Sequence, residues 1–266
     1  MERLSMESEQ GAERYALVVD DNRINRRVAT TMLERLGWAH VAEAENGLQA
    51  LDLLKSSAFD LVLMDCEMPV MDGFASVRQI RLWEEENSKP ACLIIALTAR
   101  VQEGDRERCI NAGMNDYLTK PLQFVELEAA IKRRVNEDAT AHLSLEQVNS
   151  ADIPVIDDSR YEKMCALLRE GVQEFYHDYL TATKTKLDEI RSRSDMPLET
   201  SARLIHSIRG SAANVGAAKL HDLAEQLEQR LEAGETGVLL QQLSSLQETV
   251  HQLEGQLHKR LGQRRH

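Results

Sequence analysis

Between residues 15 and 136 the sequence alternates short apolar runs with amphipathic stretches, and this alternation restricts the possible folds more than any other feature. The apolar runs are Tyr15–Val19, Ala39–Ala42, Leu61–Met64, Leu93–Leu97 and Tyr117–Leu118. The stretches between them place apolar residues at helical spacing, as at Ile24, Val28, Met32 and Leu36, or at Leu48, Leu51 and Leu54. A strand followed by a helix, repeated about five times, predicts an α/β fold with a five-stranded, doubly wound parallel sheet.

From residue 157 onward the strand pattern disappears, and four apolar stripes at helical spacing follow. They are Val172, Phe175, Tyr176, Tyr179, Leu187 and Ile190; Leu204, Ile205, Ile208 and Ala212; Leu220, Leu223, Leu227 and Leu231; and Leu239, Leu243, Leu246, Val250, Leu253 and Leu257. These stripes predict an all-α domain, an antiparallel four-helix bundle. The last stripe has the 4,3 spacing of a coiled coil, so pairing with another chain is an alternative. Because three other amphipathic helices precede it, we favour the intramolecular bundle.

The two patterns divide the 266 residues into two folded domains, as the length allows. We predict an N-terminal arm over residues 1–14, an α/β domain over 15–136, a polar linker over 137–153 and a helical domain over 154–266.

Charge and composition argue against several classes of protein. The net charge is −12, so no bulk positive field is available and we expect no nucleic-acid partner. The sequence has no long apolar run and no signal-peptide core at its start, so we expect a cytoplasmic chain without direct membrane contact, or the cytoplasmic portion of a membrane-bound protein. The four cysteines form neither a CxxC pair nor a metal-ligand pattern, and we expect them to be reduced.

Polar side chains follow four of the five predicted strands directly. Asp20 and Asp21 follow the first strand, Asp65 the third, Thr98 the fourth and Lys120 the fifth. Because ligands bind beyond the carboxyl ends of parallel strands, these residues should share one edge of the sheet. Three carboxylates repel one another and invite a divalent cation with oxygen ligands, for which Mg²⁺ is our prediction. With a lysine and a hydroxyl beside them, the site is suited to place a phosphoryl group on a carboxylate.

Residues 15–136 resemble a two-component receiver domain, a flavodoxin-like fold. The motifs that carry the resemblance are Val18-Val19-Asp20-Asp21-Asn22, Leu63-Met64-Asp65-Cys66-Glu67-Met68-Pro69-Val70-Met71-Asp72-Gly73, Leu97-Thr98-Ala99 and Tyr117-Leu118-Thr119-Lys120-Pro121. The resemblance implies that Asp65 is the phosphoacceptor. It further implies that Asp20, Asp21, Asp65 and the backbone carbonyl of Glu67 bind Mg²⁺.

The same resemblance assigns roles to three further residues. Thr98 would hydrogen-bond the phosphoryl oxygen, Lys120 would pair with it, and the ring of Tyr117 would follow Thr98 on activation. The Lys120–Pro121 peptide bond is expected to be cis. We also consider that Glu67 and Arg100 pair across the mouth of the site and slow hydrolysis of the acyl phosphate.

His206 differs from the other histidines in its surroundings, since it lies in the run Leu204-Ile205-His206-Ser207-Ile208-Arg209-Gly210-Ser211-Ala212-Ala213-Asn214-Val215-Gly216-Ala217. A mid-helix glycine costs about 1 kcal/mol relative to alanine, so Gly210 indicates that another backbone or a bulky group approaches the helix next to His206. Arg209 can reach the same side and neutralise a phosphoryl group on the imidazole.

This run resembles the signature of histidine-containing phosphotransfer (Hpt) domains, His-x-x-Lys-Gly, and the resemblance spans about residues 154–262. Arg209 stands where the family has lysine, which keeps the charge but not the ammonium geometry. The resemblance implies that His206 is a second phosphoacceptor.

Together the two sites predict a phosphorelay protein whose partners are a sensor histidine kinase, in cis or in trans, and a downstream response regulator. No ATP-binding pattern is present. The chain would be the carboxyl-terminal part of a hybrid sensor histidine kinase or a free-standing adaptor. The alternative is a switch without relay, in which phosphorylation of Asp65 controls partner binding by the helical domain and His206 takes no phosphoryl group.

Overall fold

The computed structural model describes residues 14–98, 105–135, 153–193, 196–235, 237 and 239–264. The chain forms two compact units, one of residues 1–21 and 29–118 and the other of residues 22–28 and 119–266. The predicted arm and linker lie almost entirely outside the described residues, so the predicted domain boundaries stay predictions.

The first unit is built on a five-stranded sheet. Its strands are β1 (Tyr15–Val19), β2 (His40–Ala44), β3 (Leu61–Asp65), β4 (Leu93–Thr98) and β5 (Asp116–Thr119). The strand order is β2-β1-β3-β4-β5, and β1 pairs in parallel with β2 and β3, as β3 does with β4. All residues of β3 are buried, which explains why this strand reads as a continuous apolar run rather than an alternating one. The predicted α/β class is confirmed.

Helices connect and follow these strands. They are α1 (Arg23–Arg35), α2 (Gly47–Ser56), α3 (Gly73–Glu86), α4 (Asp105–Asn111) and α5 (Phe124–Val135). Two of them begin at a side-chain cap, since Asn46 accepts a hydrogen bond from the Gln49 amide and Asp72 accepts one from the Ala75 amide.

One strand boundary needs correction, and one residue of a predicted helical stripe is exposed. The second strand begins at His40 and runs to Ala44, because its register pairs it with β1 as far as Val19. Leu48 is 44% exposed, whereas Leu51 and Leu54 are buried. The first turn of α2 turns Leu48 away from the face that packs on the sheet.

The C-terminal half is helical, as predicted. Its elements are α6 (Asp158–Leu168), a 3₁₀ turn (Arg169–Gly171), α7 (Val172–Ser192), α8 (Leu198–Val215), α9 (Ala218–Glu232) and α10 (Leu239–Gln263). Helices α7, α8, α9 and α10 contact one another in a ring, and α6 packs on α7 and α8. The described bundle therefore has a fifth helix besides the predicted four.

The 4,3 stripe of the last helix lies inside this bundle. Leu243, Leu246, Val250, Leu253 and Leu257 are all at most 2% exposed, and α10 contacts α7 and α9. The stripe thus packs within the chain, which favours the intramolecular bundle over a coiled coil between chains.

Gly216 ends α8 in the left-handed conformation, with φ of +81°, and a Cβ there would lie 3.0 Å from the Cβ of Arg160. Glycine therefore permits both the backbone turn and the close approach of α6. Among the described helices, none is long and apolar enough to cross a bilayer.

Candidate functional site

Three carboxylates meet at the ends of β1 and β3. One oxygen of each of Asp20, Asp21 and Asp65 lies within 4.8 Å of the others. Asp20 and Asp65 are buried, at 1% and 4% exposure, while Asp21 is exposed. The two strands are neighbours, so the sheet itself brings together residues that are far apart in sequence. We call these three residues the acidic cluster; the sequence predicted their proximity.

The backbone around Asp65 is held tightly by the start of α3. The Asp65 side chain accepts a hydrogen bond from the Glu67 amide at 3.3 Å, and the Gly73 amide donates to the Cys66 carbonyl at 3.1 Å. A Cβ on Gly73 would lie only 2.1 Å from the Asp65 carbonyl oxygen. Only glycine permits this approach. Asp72 therefore caps α3, and Gly73 lets the first turn of α3 pack against the backbone of Asp65.

The loop between Asp65 and α3 is tied to α2 and contains a strained residue. The Gly47 amide donates to the Met71 carbonyl at 3.0 Å, and the Ser76 hydroxyl donates to the Gly47 carbonyl at 3.0 Å. Val70 has φ of +68° and is 80% exposed. A β-branched residue rarely adopts positive φ, so this loop is strained at its most exposed position.

Other residues predicted for this site follow the neighbouring strands. Thr98 is the last residue of β4, and Lys120 comes directly after β5 and precedes the predicted cis peptide bond to Pro121, which is confirmed. Tyr117 lies within β5, is partly buried and packs against the core of the sheet. Arg100 lies outside the described residues, so its pairing with Glu67 stays a prediction.

His206 lies on α8, and a carboxylate of the next helix holds its ring. Its Nδ1 is 2.7 Å from Oε1 of Glu228 on α9, and Glu228 is 7% exposed. Because a carboxylate only accepts hydrogen bonds, we assign the ring proton to Nδ1 in this contact, and the longer 3.3 Å approach of Arg209 Nη2 to the same atom is then not a hydrogen bond. The Nε2 atom then keeps its lone pair for attack on phosphorus.

Arg209 lies on the Nδ1 side of the imidazole and is 3% exposed. Its Nε is 2.9 Å from Oε2 of Glu228, its Nη2 is 3.3 Å from Nδ1 of His206, and its Nη1 is 3.6 Å from Oε1 of Glu225. The guanidinium thus binds the carboxylate that holds the ring. Sequence reasoning missed Glu228, although an acidic residue beside Leu227 on a buried stripe was a signal.

Gly210, one turn after His206, could accept a methyl group without strain. A Cβ built there would lie 3.8 Å from Nδ2 of Asn25 on α1, an ordinary van der Waals distance. Packing inside the bundle therefore does not require this glycine, in contrast to Gly73 and Gly216.

Comparison with known proteins finds two family matches. Residues 16–132 match the response regulator receiver domain, and residues 166–256 match the Hpt domain. The sensor protein GacS of Pseudomonas syringae pv. syringae is 29% identical over 229 residues, which are 80% of this chain and 24% of that protein. The histidine-protein kinase BarA of Escherichia coli (strain K12) is 30% identical over 225 residues, 82% of this chain and 24% of that protein. The chain thus spans about a quarter of the length of these two relatives.

Solved structures resemble parts of the chain. A receiver domain of a sensor histidine kinase from Pseudomonas aeruginosa PAO1 is 43% identical, covers 46% of this chain and 97% of that one, and has a TM-score of 0.41. A second match comes from a complex of a histidine phosphotransfer signaling protein with a response-regulator receiver domain from Saccharomyces cerevisiae. The match is 30% identical, covers 46% of this chain and 88% of that one, and has a TM-score of 0.43.

Proposed function

Because residues 16–132 belong to the receiver domain family and residues 166–256 to the Hpt family, we propose that this chain relays phosphoryl groups through Asp65 and His206. The observation that carries the proposal is the presence, in one chain, of a clustered aspartate at a strand end and a histidine whose Nδ1 is held by a buried carboxylate. The first group suits an acyl phosphate and the second a phosphohistidine.

At the first site, a carboxylate oxygen of Asp65 attacks the phosphorus of a kinase phosphohistidine. The new P–O bond forms as the P–N bond breaks, and the donor imidazole leaves with the electron pair. The amide of Glu67, which already donates to Asp65, helps to fix the carboxylate for attack. In this proposal Thr98 donates to a phosphoryl oxygen, Lys120 pairs with another, and Tyr117 responds to Thr98.

The donor set of the acidic cluster fits a hard divalent cation, because it offers carboxylate oxygens from Asp20, Asp21 and Asp65 within a few ångströms. We propose Mg²⁺ as that cation, with the Glu67 carbonyl as a further ligand. When bound, Mg²⁺ would neutralise negative charge on the carboxylates and on the incoming phosphoryl oxygens.

At the second site, the Nε2 lone pair of His206 attacks the phosphorus of an aspartyl phosphate. The N–P bond forms as the P–O bond breaks, and the aspartate leaves as a carboxylate. The ring keeps its proton on Nδ1 and becomes cationic, so the Glu228 carboxylate at 2.7 Å stabilises the product. In this proposal the partner that carries the aspartate docks on the helix face that contains Gly210.

We propose that a sensor histidine kinase supplies the phosphoryl group and that a response regulator receives it. The families of the two domains support this assignment, since a receiver takes phosphoryl groups from histidine and an Hpt domain exchanges them with aspartate. The relatives GacS and BarA are named as a sensor protein and a histidine-protein kinase.

The test is labelling of the full chain and of its Asp65→Asn and His206→Gln variants. Acetyl phosphate with Mg²⁺ should give an acid-stable, hydroxylamine-labile label that Asp65→Asn abolishes, because a carboxamide is a poor nucleophile. A phosphorylated receiver protein should give an acid-labile, base-stable label that His206→Gln abolishes. If only the first label appears, the chain is a switch without relay; if the first label persists in Asp65→Asn, the phosphoacceptor is another residue.

A further inference from the structure

Arg209 occupies the position of the family lysine, but its side chain is committed to a carboxylate. It is buried, and its Nε lies 2.9 Å from Glu228 Oε2 on the Nδ1 side of the ring. The phosphoryl group would form on the other ring nitrogen, Nε2. We therefore expect a second cationic side chain in the bundle to pair with the phosphoryl oxygens in place of Arg209.

Helix α7 carries a cationic side chain, Lys186, that contacts α8 next to His206. Lys186 is partly buried, and its Nζ donates a 2.7 Å hydrogen bond to the hydroxyl of Ser207, the residue that follows His206 on α8. Helices α7 and α8 are in contact, so this lysine approaches α8 from the neighbouring helix rather than from the turn that contains Arg209.

We propose that Lys186 is the cation that pairs with the phosphoryl group on His206, while Arg209 acts as a positioning residue through Glu228. The proposal rests on His206 being a phosphoacceptor. In this proposal the Lys186 side chain, which has four methylene carbons, turns about its side-chain bonds and moves its Nζ from the Ser207 hydroxyl to a phosphoryl oxygen on His206. Such charge-assisted hydrogen bonds are among the strongest that proteins make.

A small phosphoryl donor, phosphoramidate, tests the transfer step at His206 without a docked protein partner. In the reaction with phosphoramidate, the Nε2–P bond forms as the P–N bond of the donor breaks, and ammonia leaves with that electron pair. The ring proton stays on Nδ1. The reaction is run on the full chain carrying Asp65→Asn, so that His206 takes the label.

Lys186→Met should lower the rate of labelling at His206 by about tenfold, equal to about 1.4 kcal/mol in activation free energy. Lys186→Arg, which keeps the charge, should restore most of the rate. The matched control is Lys184→Met, which removes the same charge from the same helix two residues earlier. Lys184 pairs with Glu254 at 2.7 Å, and both side chains are over 40% exposed, so this variant should label at the wild-type rate.

A second measurement distinguishes a direct contact from loss of structure. A nearby cation favours the dianionic phosphoryl group, so in Lys186→Met the pKa of that group, followed by ³¹P NMR, should rise relative to Lys184→Met. Unchanged rate and unchanged phosphoryl pKa in Lys186→Met would overturn the proposal for Lys186 alone. Absence of any label on His206 in the parent chain, when a phosphorylated receiver also fails to label it, would overturn the proposed function as well.

Discussion

A Cβ atom on Gly73 would lie 2.1 Å from the carbonyl oxygen of Asp65, so the start of α3 rests directly on the backbone of the candidate phosphoacceptor. Backbone atoms cannot move aside as the tip of a flexible side chain can. We predict that Gly73→Ala lowers the free energy of unfolding by about 1–3 kcal/mol, the usual cost of overpacking, and reduces labelling by acetyl phosphate.

Urea unfolding followed by the fluorescence of Trp38 and Trp83, both in the first unit, measures this loss. Gly255→Ala is the control, followed by far-ultraviolet circular dichroism because α10 lies in the second unit; a Cβ there would meet nothing outside its own helix within 4 Å, so alanine should stabilise α10. Equal stability of Gly73→Ala and wild type would mean that the contact relaxes at no cost.

Glu228 should be needed for transfer to His206 even though it takes no phosphoryl group. Glu228→Ala removes the acceptor for the Nδ1 proton and leaves Arg209 as a buried charge without its carboxylate, so we predict a loss of about 3–5 kcal/mol in stability as well as slower labelling. Glu228→Gln keeps an acceptor oxygen and should label at an intermediate rate.

The protonation of the His206 ring nitrogens, read from ¹⁵N NMR shifts, checks the cause directly. Wild type should show a protonated Nδ1, and Glu228→Ala a mixture of tautomers. Glu225→Gln is the control, since Glu225 is more exposed and lies 3.6 Å from Arg209. A single, unchanged tautomer in Glu228→Ala would show that another group holds the ring.

Substitutions at Gly210 should affect partner docking without unfolding the bundle. Gly210→Leu is predicted to block transfer from a phosphorylated receiver while the bundle stays folded, because Gly210 is partly exposed and a Cβ there would meet only Asn25 of α1, at 3.8 Å, and no side chain of the other bundle helices within 4 Å. Gly210→Ala should raise the free energy of unfolding by about 1 kcal/mol. Circular dichroism and transfer assays check the two effects, and normal transfer by a folded Gly210→Leu protein would place the docking surface elsewhere.

Replacing Val70 with a residue that tolerates positive φ should stabilise the protein. Asn tolerates positive φ, and the Val70 side chain is 80% exposed, so little packing is lost. We predict that Val70→Asn raises the free energy of unfolding by about 1 kcal/mol. The matched change Val125→Asn, on an exposed helical residue with ordinary backbone, should not stabilise the chain.

Cys92 should resist alkylation although it is the least buried of the four free cysteines. Burial, with the Glu84 carboxylate adding to it, raises the pKa of the Cys92 thiol to about 12. At pH 8.5 almost no thiolate is present, so iodoacetamide should modify Cys92 several hundredfold more slowly in the native than in the unfolded chain, roughly the ratio of the two thiolate fractions. Mass spectrometry of tryptic peptides measures both rates.

The same raised pKa predicts a pH dependence of stability. The unfolded thiol loses its proton near its ordinary pKa of 9.0, while the folded thiol keeps it up to about 12. The stabilising contribution is therefore complete below pH 9 and is lost as the pH rises from 9 towards 12. Between pH 8 and pH 10, wild type should lose about 1.4 kcal/mol more than Cys92→Ala.

The acidic cluster could be predicted because parallel strands bring residues from distant sequence positions to one edge. Once Asp20 and Asp65 are placed at strand ends, the sheet determines their proximity. His206 could be identified from its local run. For Glu228 the only local signal is an acidic residue beside Leu227 on a buried stripe, and its contact with His206 depends on the rotation and spacing of α8 and α9, which that signal does not specify.

The same limit applies to other helical side chains. Leu48 has the right spacing from Leu51 for a buried face, yet it is exposed because the start of α2 determines which residues face the sheet. Arg209 could reach a phosphoryl group by spacing alone, but the buried carboxylate of Glu228 competes for it. Helical periodicity gives the set of neighbours a side chain can reach and leaves open which of them it contacts.

The ion pair between Arg209 and Glu228 also bears on the thermodynamics of signalling. An unpaired carboxylate at Nδ1 would stabilise the cationic phosphorylated ring strongly and make His206 an energetic trap. Arg209 already shares the negative charge of Glu228, so in the proposed relay that stabilisation would be reduced and a phosphohistidine would keep a high group-transfer potential. The equilibrium constant for exchange with an aspartate would then stay close enough to one for relative concentrations of phosphorylated partners to determine the direction of flow.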